Sequence, residues 1–134
     1  MTKIDCAVLI DDDSITNFLN EELIKELGVS EKVKVFEDGR GALNYINENC
    51  IKSNKCPELI LLDINMPVMD GFEFLKVFNS LEFENKEDVK IIMLTTSSNS
   101  KDFEQAKKLS VKDYITKPLT PEKLMPVLKK HFYL

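Results

Sequence analysis

Carboxylates, hydroxyls and a lysine recur at the ends of apolar runs in this sequence. Asp11, Asp12 and Asp13 follow the run Cys6 to Ile10, and Asp63 follows Leu59 to Leu62. Thr95 and Thr96 follow Lys90 to Leu94, while Lys117, with Pro118 after it, follows Asp113 to Thr116. In open parallel α/β sheets, sites form at the carboxyl ends of the strands, so these residues are expected to meet along one edge. Carboxylates brought together there repel one another and raise their own pKa values unless a cation sits among them. A hard divalent ion resolves the conflict, and Mg²⁺ takes one or two carboxylates together with waters and phosphate oxygens. Lys117 adds a second positive charge. The combination offsets the charge that builds up as a phosphoryl group transfers to a carboxylate nucleophile, with a Thr hydroxyl and a backbone N–H to hold its oxygens.

Taken singly, each residue has an ordinary structural reading. Asp11 to Asp13 can cap a helix, since carboxylates are favoured at helix N-termini. Asp63 before Asn-Met-Pro can cap a loop, and Thr95 and Thr96 can simply begin one. Lys117 fits a protein surface, Tyr114 a half-buried strand position, and His131 a helix end. One shared site accounts for all the strand ends at once, which separate structural roles do not.

The elements that must hold these residues can be read from the periodicity. Short runs rich in Val, Ile and Leu alternate with segments of helical period, the pattern of βα units around a parallel sheet. The runs Cys6 to Ile10, Lys32 to Phe36, Leu59 to Leu62, Lys90 to Leu94 and Asp113 to Thr116 predict five strands. A first helix follows Ser14 as N-cap, with Ile15, Phe18, Leu19 and Leu23 at helical spacing, and ends at Leu27-Gly28. A second is expected over about Gly41 to Asn49. The third follows Asp70-Gly71 with Phe72, Leu75 and Phe78, and the fourth carries Phe103, Ala106 and Leu109 after a polar run from Thr95 to Ser100. Thr120-Pro121-Glu122 opens a fifth, where Pro121 loses nothing by lacking an N–H. Pro126, deeper in that helix, predicts a kink or a short helix.

With 134 residues, 43% of them hydrophobic, the chain has enough apolar material for one core, and a single domain over residues 1–134 is expected, without an attached output domain. A net charge of −5 argues against nucleic acid, whose phosphates need clustered Lys and Arg. Cys6, Cys50 and Cys56 form an odd set without CxxC spacing, which suits reduced thiols better than a disulfide framework or a zinc site. The opening MTKIDCAVLIDDD is too soon acidic for a signal peptide, and no stretch approaches the roughly 20 apolar residues of a membrane helix. A cytoplasmic location is therefore expected.

The segments AVLIDDDSITNFL, LILLDINMPVMDGFEFL, IIMLTTSS and DYITKPLTPEKL, in this order across nearly the whole chain, resemble the receiver domain of two-component response regulators. The resemblance implies a flavodoxin-like doubly wound (βα)5 fold with strand order 2-1-3-4-5. It implies that Asp63 is the phosphoacceptor, that Asp12 and Asp63 ligate Mg²⁺ directly, that Asp11 holds it through water, and that Asn65 contributes its carbonyl. Thr95 would bind the phosphoryl group by its hydroxyl, Thr96 by its N–H and Lys117 by its ammonium. Pro118 matches a proline after a cis peptide bond. Tyr114 matches the switch aromatic that moves as Thr95 is drawn inward, altering the surface near the fourth helix, fifth strand and fifth helix. Positions matching Asn65 and Ser97 would bear on the lifetime of the phosphorylated state.

The implied protein is a stand-alone regulator, chemotaxis-regulator-like and not a classical enzyme. It would take its phosphoryl group from a histidine kinase or phosphotransfer protein, hydrolyse it, and signal through a protein partner or a second copy of itself. Three rivals differ in class. Asp11-x-Asp13 is similar to the motif of haloacid-dehalogenase-type phosphatases, but Ile15 departs from it and the chain is short for a core plus cap. A flavin-binding module would want N–H donors, not three aspartates, after the first strand. A receiver that acts without phosphorylation would have no need of the full residue set.

Overall fold

A computed structural model describes residues 4–96 and 99–132. Its strands are β1 (Cys6–Ile10), β2 (Lys32–Phe36), β3 (Leu59–Asp63), β4 (Lys90–Thr95) and β5 (Asp113–Thr116). The helices are α1 (Ser14–Glu26), α2 (Gly39–Ile46), α3 (Gly71–Ser80), α4 (Ser100–Lys108) and α5 (Pro121–Phe132). All strand pairs are parallel, in the order β2-β1-β3-β4-β5. The expected flavodoxin-like order is thus present.

Alternation along each strand sends side chains to two cores. Val8, Ile10, Ile60, Leu62 and Met93 pack against Ala42 and Ile46 of α2, Phe74, Leu75 and Phe78 of α3, and Ala106 of α4. Ala7, Leu9, Leu61, Ile92, Leu94 and Ile115 pack on the other face against Ile24 of α1 and Leu124 and Leu128 of α5. β1 and β3 are buried throughout, which explains their unbroken apolar sequences. β2 lies at the sheet edge, where exposed Lys32 and Lys34 discourage pairing with another chain.

Helix ends follow their caps. α1 is capped by Asp13 rather than Ser14: its carboxylate accepts the N–H groups of Ile15 and Thr16, and a carboxylate also complements the positive helix end. Asp38 accepts the Gly41 N–H at 2.7 Å and starts α2 at Gly39, two residues earlier than the periodicity suggests. Regular α-helix ends at Ile46 and widens into a π-helical stretch, Asn47–Lys52. Asp70 and Glu73 form a reciprocal capping box at the start of α3.

Three further expectations are corrected. Cys50 and Cys56 are joined in a disulfide, their Cα atoms 4.5 Å apart, leaving Cys6 as a buried free thiol. The chain reverses after the π-helical stretch, with Lys55 N–H donating to the Asn49 carbonyl, and this turn brings together two cysteines that carry no spacing signal. Pro126 does not shorten α5, which continues to Phe132. Pro126 and Glu122 are both exposed, so the carbonyl that loses its partner can be hydrated. Finally, Ile15, Phe18 and Leu19 lie outward at 69%, 60% and 58% exposure, while α1 buries Asn17, Asn20 and Ile24.

Candidate functional site

Register decides which strand ends meet. Ile10 pairs with Leu62, so Asp11 and Asp63 project at the same level from adjacent strands, and Asp63 in turn pairs with Leu94, one residue before Thr95. Thr95 pairs with Thr116, which brings Lys117 level with the same edge. The Lys117 N–H donates to the Thr95 carbonyl at 2.7 Å, and the Lys117–Pro118 peptide bond is cis. Four consecutive sheet positions therefore deliver the expected residues to one place.

Carboxylate oxygens of Asp11, Asp12 and Asp63 lie within 4.8 Å of one another. Asp11 and Asp63 are buried, whereas Asp12 faces solvent. Lys117 Nζ stands between the buried pair, 2.6 Å from Asp11 Oδ2 and 3.2 Å from Asp63 Oδ1. Asp11 Oδ1 accepts the Asp13 N–H at 2.9 Å, and Asn17 Nδ2 donates to the Asp11 carbonyl at 2.7 Å. Asp11 is thus held from three sides.

Burial and the charge of Asp11 push the Asp63 carboxyl up to about 6, against the pull of Lys117. Burial works against the Lys117 ammonium, but its hydrogen bond to Asp11 and the charges of Asp63 and Asp11 outweigh this and hold its pKa above the usual lysine value. Asp13, by contrast, has its pKa lowered by the Thr16 hydroxyl and by the Ile15 and Thr16 N–H groups. It serves the helix end rather than the cluster.

The donor set suits a hard divalent cation. Three carboxylates within one coordination span, one of them with its pKa raised by burial and by the charge of Asp11, and a lysine already drawn between two of them describe a site short of positive charge. Asn65 is exposed at the start of the loop after Asp63. Val68 at the tip of that loop is 97% exposed with φ +69°, a conformation that a β-branched residue rarely adopts. Gly71 closes the loop: a Cβ there would meet the Asp63 carbonyl oxygen at 2.6 Å, and its N–H donates to Ile64 O. Only glycine fits this approach.

Thr95 is fully buried and Thr96 exposed. Tyr114 pairs with Met93, two residues before Thr95, so Tyr114 and Thr95 share one face of the sheet diagonally. Tyr114 is half-buried and meets Phe103 of α4 edge to face, ring centroids 5.1 Å apart. Ser97 lies outside the described residues.

Two features of the site were not read from the sequence. Asn17, which fixes the Asp11 backbone, lay hidden because Ile15, Phe18 and Leu19 offered a more apolar helical stripe; yet Asn17, Asn20 and Ile24 recur at equally helical spacing. The other is a cavity of about 360 Å³ beside the site, lined by Leu19, Asn20, Thr96, Lys117, Pro118 and Leu119 among others. It joins the exposed face of α1 to the lysine.

Comparison with known proteins agrees with this arrangement. The family model described as response regulator receiver domain matches residues 7–129. Two-component response regulator 24 of Arabidopsis thaliana is 30% identical over 96% of this chain and 85% of its own length. A two-component response regulator from Cytophaga hutchinsonii has a crystal structure matching with TM-score 0.88 at 32% identity, covering 98% of each chain. The Mn²⁺-bound form of response regulator Rcp1 matches with TM-score 0.74 at 27% identity, over 97% of this chain and 94% of that one. Matched by that model over residues 7–129, and with buried aspartates bridged by a lysine at the carboxyl edge of a 2-1-3-4-5 sheet, the chain belongs to the response regulator receiver domain family of two-component signalling.

Proposed function

We propose that Asp63 accepts a phosphoryl group from a sensor histidine kinase or phosphotransfer protein, and that the phosphorylated receiver signals to another protein. The observation that carries this reading is the Lys117 ammonium bridging two buried carboxylates at the converged strand ends. Asp63 Oδ attacks phosphorus, the P–N bond of the donor's phosphohistidine breaks, and the imidazole leaves. Lys117 then holds a phosphoryl oxygen, assisted by the Thr95 hydroxyl and the Thr96 N–H. Asp12 and Asp63, with the Asn65 carbonyl and Asp11 through water, are the residues that would hold Mg²⁺; when bound, the ion neutralises charge on the carboxylates and the phosphoryl oxygens. Manganese in the Rcp1 structure supports a divalent cation here. Hydrolysis reverses the modification: water attacks phosphorus, the bond to Asp63 breaks, and phosphate departs. The protein is its own substrate in both steps and not an enzyme acting on others.

The same reading takes residues 1–134 as one receiver unit working in the cytoplasm. Its donor docks over the outward apolar face of α1, Ile15, Phe18 and Leu19, which adjoins the cavity leading to Lys117. Output arises where Thr95 and Tyr114 share a sheet face, so that drawing Thr95 toward the phosphoryl group changes the surface of α4, β5 and α5.

The test is intact mass after incubation with Mg²⁺ and acetyl phosphate, for the native chain and for Asp63→Asn. The expected result is a gain of about 80 daltons, labile to alkali and missing in the variant, as an aspartyl phosphate requires. Labelling that persists in Asp63→Asn would falsify the assignment.

A further inference from the structure

Six polar side chains are buried among the described residues: Asp11, Asn17, Asn20, Ser30, Asp63 and Thr95. Three belong to the site, and the Ser30 hydroxyl donates to the Lys32 carbonyl at the start of β2. Asn17 stands apart. It is 2% exposed on the inward face of α1, its Nδ2 donates to the Asp11 carbonyl at 2.7 Å, and its Oδ1 is buried with no hydrogen-bond partner among the described residues. A buried acceptor left unpaired weakens the fold, so the packing of α1 is better served by a leucine of similar size. What a leucine lacks is the donor. Asn17 also closes a ring with the turn after β1: its backbone N–H donates to the Asp13 carbonyl at 3.1 Å, and the Asp13 N–H donates to Asp11 Oδ1 at 2.9 Å. Asp12 lies inside that ring, its side chain exposed and held by no hydrogen bond or ion pair among the described residues. The aim of its carboxylate therefore rests on the backbone.

We propose that Asn17 is a positioning residue for the divalent-cation site, its bond to the Asp11 carbonyl fixing the peptide plane that leads into Asp12. That carbonyl belongs to the peptide group joining Asp11 to Asp12. Holding the rigid plane holds ψ at Asp11 and φ at Asp12, the dihedrals from which the Asp12 side chain departs. Asp12 is thereby kept within the 4.8 Å span that it shares with Asp11 and Asp63. Mg²⁺ is sensitive to such placement. It demands near-ideal octahedral geometry at short ligand distances, whereas Ca²⁺ accepts variable geometry and longer bonds. Removing the Asn17 donor therefore lowers affinity for Mg²⁺ more than for Ca²⁺, and loss of a partner that orients metal ligands typically lowers affinity by about ten- to a hundredfold. The proposal deepens the receiver reading by adding a residue to its cation site, and it rests on that reading.

The experiment titrates Mg²⁺ and, separately, Ca²⁺ into the full chain and into Asn17→Leu, following the backbone amide signals of Asp11 to Asp13 by NMR. In the variant the Mg²⁺ dissociation constant should rise about tenfold and the Ca²⁺ constant by about threefold or less. Asn17→Ser, too short to reach the Asp11 carbonyl, gives the same reading where the leucine variant does not fold. Ile24→Ala is the control: it removes buried packing about two turns along the same face of α1 and should leave both constants unchanged. Equal losses for the two ions, a loss in Ile24→Ala that matches Asn17→Leu, or native affinity in the folded Asn17 variants overturn the proposal, as does failure of both Asn17 variants to fold. Intact mass after acetyl phosphate separates the two layers. Mass gain at Asp63 with Mg²⁺ affinity untouched by Asn17→Leu removes the positioning role alone; selective loss of Mg²⁺ affinity in that variant, without mass gain in the native chain, keeps the role and removes the acceptor.

Discussion

Asp63 is held in the folded chain with a pKa of about 6, above its ordinary 3.8, because burial and Asp11 both oppose its charge. Between those values the folded state binds the proton more tightly than the unfolded state, so stability falls as pH rises from about 4 to 6 and the deficit persists above 6. In metal-free buffer at pH 7, Asp63→Asn is therefore expected to be more stable than the native chain by about 1 to 2 kcal/mol, after allowing for solvent screening of the pair, with little difference near pH 4. Denaturant melts at the two pH values check this; equal stability at both would contradict the charge crowding described. Lys117 acts in the opposite sense. Lys117→Ala leaves two buried carboxylates without their cation and should cost about 2 kcal/mol in metal-free buffer. It should weaken beryllofluoride-induced change at Tyr114, followed by NMR, more than Mg²⁺ affinity measured by calorimetry. At this scale Asp63, Thr95 and Lys117 were legible as strand-end residues because each directly follows a strand-like run, with Thr96 one position further on. Asn17 was not, since nothing in its neighbourhood distinguishes a buried amide from a solvated one.

At the scale of elements, all five strands were predicted within one residue, because a strand buried on both faces announces itself by an apolar run too short for a helix. Helices were less legible at their ends, where the cap that wins depends on which side chain reaches the free N–H groups; Asp13 and Asp38 reached them. In α5 the exposed Pro126 leaves one carbonyl to water. Pro126→Ala should restore that hydrogen bond and raise stability by about 1 to 2 kcal/mol, less than the full interior-proline penalty because the ring also restrains the unfolded chain. Thermal melts decide this, and a loss of stability would mean that the ring makes packing contacts of its own. In α1 the stripe Ile15, Phe18, Leu19 is apolar and outward. Phe18→Ser should change stability by no more than about 0.5 kcal/mol, as for other surface substitutions. Its labelling by acetyl phosphate should be unchanged while transfer from a phosphorylated donor protein slows. A large loss of stability would show the stripe to be core after all.

The whole molecule has two chemical poles: an acidic well at the carboxyl edge of the sheet, and a lysine-rimmed face built from the last quarter of the chain. Between them run the two cores that hold the strand ends in register, and the Cys50–Cys56 disulfide closes the approach to β3 from the opposite edge. Alkylation of the unfolded chain followed by intact mass should find one reactive thiol without reductant and three with it. Reduction should lower stability by about 2 kcal/mol, the loop entropy of so short a ring. No helix among the described residues is long and apolar enough to cross a membrane. By itself the sequence determined the order of elements, the class of sheet and the residues at the strand ends, since these depend on local runs and on rules of connection that hold for any parallel α/β chain. Only the tertiary structure decided that Lys117 bridges Asp11 and Asp63, that α1 buries its amides and presents its apolar stripe, and that Cys50 meets Cys56. Each of those is a choice between faces or partners with the same local pattern, and it is settled by distances between residues far apart in the chain or turned together by a loop, which no window of sequence contains.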